Sequence, residues 1–313
     1  MFHKLHIYLA FALSSVLRVH AGIQWDNIYN SCGAPSDTQQ GGAAILSDMV
    51  NMAKAAGGYM DNAQANRDAP DQSKHWDYYR VLTLYDALFD GTQPDSQNRW
   101  NTVRANLNTM EGLANNQPDV WVSCDDTTLF GMDTVGSVSR TYFKDPSSKA
   151  KTYLDNPPLM CGQGQMVNGQ MTNQIGYRTT INGINLVIIC AKQAGGDITL
   201  SQLQYQEGSD LYMQTTLSTV VFHEFLHVMI PSMVGDQAGG NAPGGERYGW
   251  DGSIAIRSSY SPQNPDSLVY FAMALSMEEY LWHTGKAVSL PTMYQWLQQN
   301  QQTTLQSAGL PKP

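Results

Sequence analysis

The sequence predicts an α+β fold, mostly helical, with a small sheet packed on one apolar helix. Three observations predict it. Apolar residues recur at helical spacing early in the chain, as at Ile45, Met49, Met52 and Ala56. The run Gly183 to Cys190 (GINLVIIC) is dominated by β-branched residues and is the strongest strand. An apolar segment over 211–230, stopped by Pro231, reads as a buried helix.

The elements follow in chain order. Met1-Phe2-His3-Lys4 is a basic start, Ile7 to Leu17 is apolar, and Val19-His20-Ala21 places small residues at a cut after Ala21. This pattern is that of a cleaved secretory signal over residues 1–21. Its apolar run is too short for a membrane anchor, which takes about 20 residues. Helices are expected over 40–66, 76–89 and 97–114, with Gly91 to Asp95 breaking the last two apart. Val120-Trp121-Val122 is a short strand. Residues 125–180, rich in Gly, Asn, Ser and Thr, read as loops and short strands, with Ser137 to Phe143 the most β-prone. After the apolar helix come a Gly-rich loop over 235–249, a helix over 266–284 and a Gln-rich, solvated or frayed helix over 291–307. No repeat or long linker divides the chain. One domain over 22–313 is expected, helical over 22–118 and carrying the chemistry over 119–313.

Composition narrows the function. Of 313 residues only 14% are charged, against about 25% in ordinary soluble domains. The formal charge of -9 becomes -11 once Lys4 and Arg18 leave with the signal. No basic surface suited to nucleic acid is available. No later segment is long and apolar enough to cross a membrane, so the mature protein is expected to be extracellular and monomeric. Its four cysteines, Cys32, Cys124, Cys161 and Cys190, suggest two disulfides in an oxidising compartment. Three pairings are open, and Cys32–Cys124 with Cys161–Cys190 is our choice among them. No CxxC pair and no N-x-S/T sequon is present.

One motif carries chemistry. His223-Glu224-Phe225-Leu226-His227 is an HExxH inside the apolar helix. Residues four apart lie about 40° apart around a helix and one turn along, so both imidazoles face one point. Neutral imidazoles bind Zn²⁺, and Glu224 sits where it can serve a water on the open metal position as general base. Glu224 is the only charged residue between Leu217 and Met229. A buried helix has little reason to hold a lone carboxylate unless something compensates it. Half of the mature chain's histidines lie in this motif, His75 and His283 being the others. The plain reading is a core helix with incidental His and Glu, and the grouping of these features argues against it.

A catalytic zinc usually takes three protein ligands. The extended HExxHxxGxxH pattern fails, because Ile230 and Met233 occupy its Gly and third His positions. The third ligand is therefore expected to be a carboxylate. Asp236, nine residues after His227, is the first candidate. Glu246, nineteen after His227, is the alternative, and the helical pair Glu278 and Glu279 comes third. Each has an ordinary reading as well: a loop or cap residue for Asp236, a partner of Arg247 for Glu246, an exposed helix face for the pair. Tyr248 can donate to an oxyanion, or it is a packed loop aromatic.

These residues resemble the aspzincins, the secreted fungal deuterolysin and peptidyl-Lys metalloendopeptidase group, in which HExxH is followed by G-T-x-D-x-x-Y-G. HEFLH matches in full, Gly235-Asp236 is similar to the Gly and Asp portion, and Tyr248-Gly249 to the closing Tyr-Gly. The resemblance implies a zincin-like metalloprotease fold, Asp236 as third zinc ligand and Tyr248 as a transition-state donor. Two departures stand out: the Thr is absent, and eleven residues rather than two separate Asp236 from Tyr248. If Tyr248-Gly249 keeps strict register, the aspartate position falls on Gly245 and Glu246 must substitute. Softer similarities are Tyr85 to Phe89 with Trp100 and Val103, the strand ending at Cys190, and Asn264 to Ala272, the family's helix beneath the site. The lysine preference of part of the family needs an acidic pocket that the sequence does not place. The expected function is a secreted endopeptidase with one catalytic Zn²⁺ and a polypeptide substrate. The alternative is a non-catalytic secreted zinc-binding or surface protein on the same fold, and a purely structural protein is a further rival.

Overall fold

The computed structural model describes residues 22–26, 38–67, 76–124, 126–155, 157–158, 161, 164–167, 170–173, 175–190, 199–234, 245–256, 259–289 and 292. The described chain opens with β1 (Ile23–Asp26) and continues through α1 (Thr38–Ala65), α2 (Trp76–Phe89) and α3 (Ser96–Glu111). β2 (Val120–Ser123) precedes β3 (Phe130–Val135), β4 (Val138–Lys144) and β5 (Lys151–Tyr153), an antiparallel sheet of their own. β6 (Gly164–Val167) pairs with β7 (Gln170–Asn173), and β8 (Gly176–Ile181) leads into β9 (Ile184–Ile189). Then come α4 (Leu217–Met229), α5 (Gly249–Ile256), α6 (Pro265–Ser276) and a closing pair, β10 (Tyr280–Leu281) and β11 (Val288–Ser289).

The sheet that positions the site has the order β1-β2-β9-β8. β1, β2 and β9 are parallel, and β8 runs antiparallel to β9. Asn182 and Gly183 join β8 to β9 with φ of 54° and 76°. Two consecutive positive φ angles suit a two-residue hairpin turn, for which Asn-Gly is the favoured pair. From Leu186 to Ile189 β9 is buried on both faces, which explains the unbroken apolar run there. Val187 and Ile189 join the main core with α1 to α4 and α6. Leu186 and Ile188 face the other way, onto Phe130, Phe143 and Tyr177.

The helices expected over 40–66, 76–89 and 97–114 appear as α1, α2 and α3 with small shifts at their ends. In the main core the Phe89 and Phe271 rings meet edge to face at 5.4 Å, tying α2 to α6. The helix expected over 266–284 stops at Ser276. There the buried Arg80 guanidinium of α2 donates to the carbonyls of Ala274 and Leu275, satisfying the helix end. The chain then turns at Glu278-Glu279 and continues as β10. β1 and α5 were not expected. The helix expected over 291–307 lies outside the described residues apart from Thr292.

Cys161 is bonded to Cys190, as chosen from the sequence. Cys124 is also disulfide-bonded, and Cys32 lies outside the described residues. No helix among the described residues is long and apolar enough to cross a membrane.

Candidate metal centre

α4 forms because its sequence is apolar and its start is well capped. The Thr216 side chain accepts from the Thr219 backbone, and the Thr219 hydroxyl accepts from the Thr216 backbone at 2.9 Å. The reciprocal pair satisfies donors that a helix start leaves open. Asp48 of α1 secures the same end, accepting from the Ser218 hydroxyl and, at 3.0 Å, from the Leu200 backbone. Leu217, Val221, Phe222, Phe225 and Leu226 are fully buried. Their burial fixes the rotation of the helix, so His223 and His227 share the opposite, solvent-reaching side. Their ring centroids are 5.2 Å apart.

The third group is Glu246. It enters on a short segment between Gly245 and Gly249, both at positive φ (74° and 73°). Asn264 grips the segment from both sides of Arg247: its Oδ1 accepts from Arg247 N and its Nδ2 donates to Arg247 O, each at 3.0 Å. So held, Glu246 sends Oε1 to 3.0 Å from His223 Nε2 and Oε2 to 3.3 Å from His227 Nε2. The two imidazoles keep 12% and 10% of their side-chain surface, and the Glu246 side chain keeps none.

The residues present fit a metal ion. Ligand atoms about 2.0–2.1 Å from a tetrahedral zinc stand about 3.3 Å from one another, close to both spacings here. Glu246 Oε1 is buried without a hydrogen-bond partner although His223 Nε2 is 3.0 Å away. A carboxylate oxygen and a ring nitrogen aimed at a common point, rather than at each other, give this arrangement. Two imidazoles with one carboxylate is also a donor set used by catalytic zinc sites. Among the described residues, these three form the group of His, Cys, Asp or Glu side chains close enough to share an ion.

Asp266, in the first turn of α6, backs the group. Its Oδ1 lies 2.6 Å from His223 Nδ1, and its Oδ2 accepts from the Gly249 backbone at 2.6 Å. A carboxylate on the far ring nitrogen fixes the orientation and tautomer of a ligating histidine. Sequence reasoning missed this residue. Its position after Asn264-Pro265 gives the ordinary signal of an acidic residue at a helix start.

Electrostatics follow from burial and crowding. Burial favours a neutral Glu246, but the two imidazoles close beside it outweigh burial and hold its carboxyl at about 2. For His223, burial favours the neutral ring, while Glu246 and Asp266 prevail and raise its pKa well above the usual value. Glu224 is different. Burial lifts its carboxyl to about 7, with His223 opposing and Glu246 adding to the rise. It lies against β8, where a Cβ on Gly176 would come within 3.3 Å of Glu224 Oε1. Arg178, two residues on, donates to the His227 carbonyl at 2.9 Å, so β8 is fastened to the helix end.

The remaining sequence candidates divide clearly. Tyr248 lies at the site: its ring stacks on His223 at 6.0 Å, and its hydroxyl donates to Glu246 Oε2 at 3.1 Å. Glu278 accepts from the Tyr59 hydroxyl at 2.5 Å, and both Glu278 and Glu279 are exposed, apart from the three. Asp236 and His75 lie outside the described residues.

Comparison of the chain with protein-family models, with curated proteins and with solved structures finds no match in any of the three.

Proposed function

We propose that the chain is a secreted zinc-dependent endopeptidase in which His223, His227 and Glu246 hold one ion and Glu224 is the general base. The observation that carries this reading is the convergence of donor atoms of His223, His227 and Glu246 beside Glu224, a buried carboxylate on the helix that bears both imidazoles. Held by His223, His227 and Glu246, a zinc ion would supply Lewis acidity and would lower the pKa of a water towards neutrality. Glu224 takes the proton from the attacking water and passes it to the leaving amine. Burial of Glu224 raises its carboxyl above the ordinary carboxylate range, a direction that favours taking up a proton. Tyr248, at the mouth of the site, supplies an O–H for the negative charge that develops on the carbonyl oxygen. Asp266 keeps the His223 ring in place throughout.

A polypeptide substrate suits the surroundings. Among the described residues β8 ends the sheet order beside Glu224, and an extended chain pairing with its outer backbone would pass the site. The resemblance of HEFLH and of Asn264 to Ala272 to the aspzincins supports a zincin-like fold. The proposal differs from that family in its third ligand, with Glu246 in place of the aspartate.

The test is Glu224→Gln, which spares the three ligands and removes the base. It should retain zinc and lose about 10²–10⁴-fold in peptide hydrolysis. Turnover at the wild-type rate would overturn the mechanism, and a non-catalytic zinc-binding protein would show no hydrolysis in either form.

A further inference from the structure

Two large apolar side chains stand in solvent next to the three-residue centre. The short turn Leu211–Gln214 is anchored at both ends: Leu211 is fully buried with its N–H on the Gly285 carbonyl at 2.8 Å, and the Gln214 amide donates to the Asp210 carbonyl at 3.1 Å. Between these anchors Tyr212 is 54% exposed and Met213 70%. The Tyr212 ring runs alongside Gly249, 3.6 Å from where a Cβ would stand there. The preceding residue, Tyr248, is 37% exposed and stacks on His223. Tyr212 thus lies beside the segment that carries Tyr248, with the exposed Met213 next to it in the chain, and Tyr248 reaches a residue of the centre. Exposed apolar side chains beside a polar centre are placed to touch a bound chain.

Three of the carboxylates near these side chains are already engaged. Asp210 is engaged by Lys286 at 2.5 Å, Asp266 by His223 and Gly249, and Glu246 by the two imidazoles and Tyr248. These carboxylates have their partners already, whereas Tyr212 and Met213 remain largely exposed.

We propose that Tyr212, Met213 and Tyr248 form a substrate subsite that takes a large apolar side chain, aromatic or long aliphatic, of the polypeptide being cut. This rests on the endopeptidase reading above. Aromatic faces and a flexible thioether adapt to such side chains and select them over small or charged ones.

The experiment uses Glu224→Gln protein and fluorescein-labelled peptides that differ at one position: Phe, Leu, Ala, Lys or Asp. Phe and Leu peptides should bind about tenfold tighter than the Ala peptide. The double substitution Tyr212→Ser with Met213→Ser, at exposed positions outside the metal group, should erase that difference. Tighter binding of Lys or Asp peptides, equal binding of all five, or a preference that survives the double substitution would overturn the subsite. The same peptides are given to wild-type protein. Cleavage without apolar preference leaves the hydrolase standing and removes the subsite. Apolar-selective binding without any cleavage removes the hydrolase and leaves an apolar peptide-binding surface in place of a substrate subsite.

Discussion

Asp266 holds the side of the His223 ring that Glu246 does not, with Oδ1 at 2.6 Å from Nδ1 while Glu246 Oε1 is 3.0 Å from Nε2. The imidazole is therefore fixed between two carboxylates from separate segments. The second Asp266 oxygen reaches Gly249 N, which joins α6, α4 and the Glu246 segment at one point.

Asp266→Asn keeps the shape of that link and removes its charge. Partners of this kind are worth about 10–100-fold in metal affinity. Zinc affinity, read by competition with a chromophoric chelator, should fall by that factor, and excess zinc should restore hydrolysis. Unchanged affinity would mean that Asp266 only packs the helix start.

Gly176→Ala tests the contact between β8 and Glu224. The added methyl would meet Val220 Cγ1 at 3.1 Å, the Ile188 carbonyl at 3.2 Å and Glu224 Oε1 at 3.3 Å. The carbonyl belongs to the paired strand, so relief needs a backbone shift, and the overpacking should cost about 1–3 kcal/mol. Thermal unfolding should show a lower Tm, and kcat should fall because Glu224 is pushed aside. A wild-type Tm and kcat would contradict the close fit.

His283 gives a pH dependence away from the metal group. Burial lowers its folded pKa to about 4 from 6.5. As the pH falls, the unfolded chain binds this proton first. The contribution of His283 to stability is therefore whole above 6.5 and is lost progressively down to about 4. The loss is on the order of 3 kcal/mol, since each pKa unit is about 1.36 kcal/mol. Urea unfolding at several pH values should show this slope in wild-type protein and a flatter one in His283→Gln. Equal slopes would contradict it.

Much of the site is legible in the sequence because its chemistry is local. The HEFLH spacing alone sets His223 and His227 on one helical face, and the apolar residues around it say which face is buried. Glu246 and Tyr248 stand among the sequence candidates, but spacing cannot rank Glu246 against Asp236, since a Gly-rich loop has no periodicity. Asp266 is invisible for a different reason: its partner is 43 residues earlier, and only the packing of α6 under α4 joins them. The early end of α6 is similar. Its apolar pattern runs on through Leu281 and Trp282, while the Arg80 contact that finishes it comes from another helix. β1 is hidden because four residues gain strand geometry only by pairing with β2.

The central claim is that His223, His227 and Glu246 hold the ion. The most direct measurement is the zinc content of purified Glu246→Ala and Asp236→Ala proteins beside wild type, by plasma mass spectrometry after dialysis. One zinc per chain in wild type and Asp236→Ala, with little in Glu246→Ala, is the predicted result. Zinc retained by Glu246→Ala and lost from Asp236→Ala, or no zinc in wild type, would contradict it.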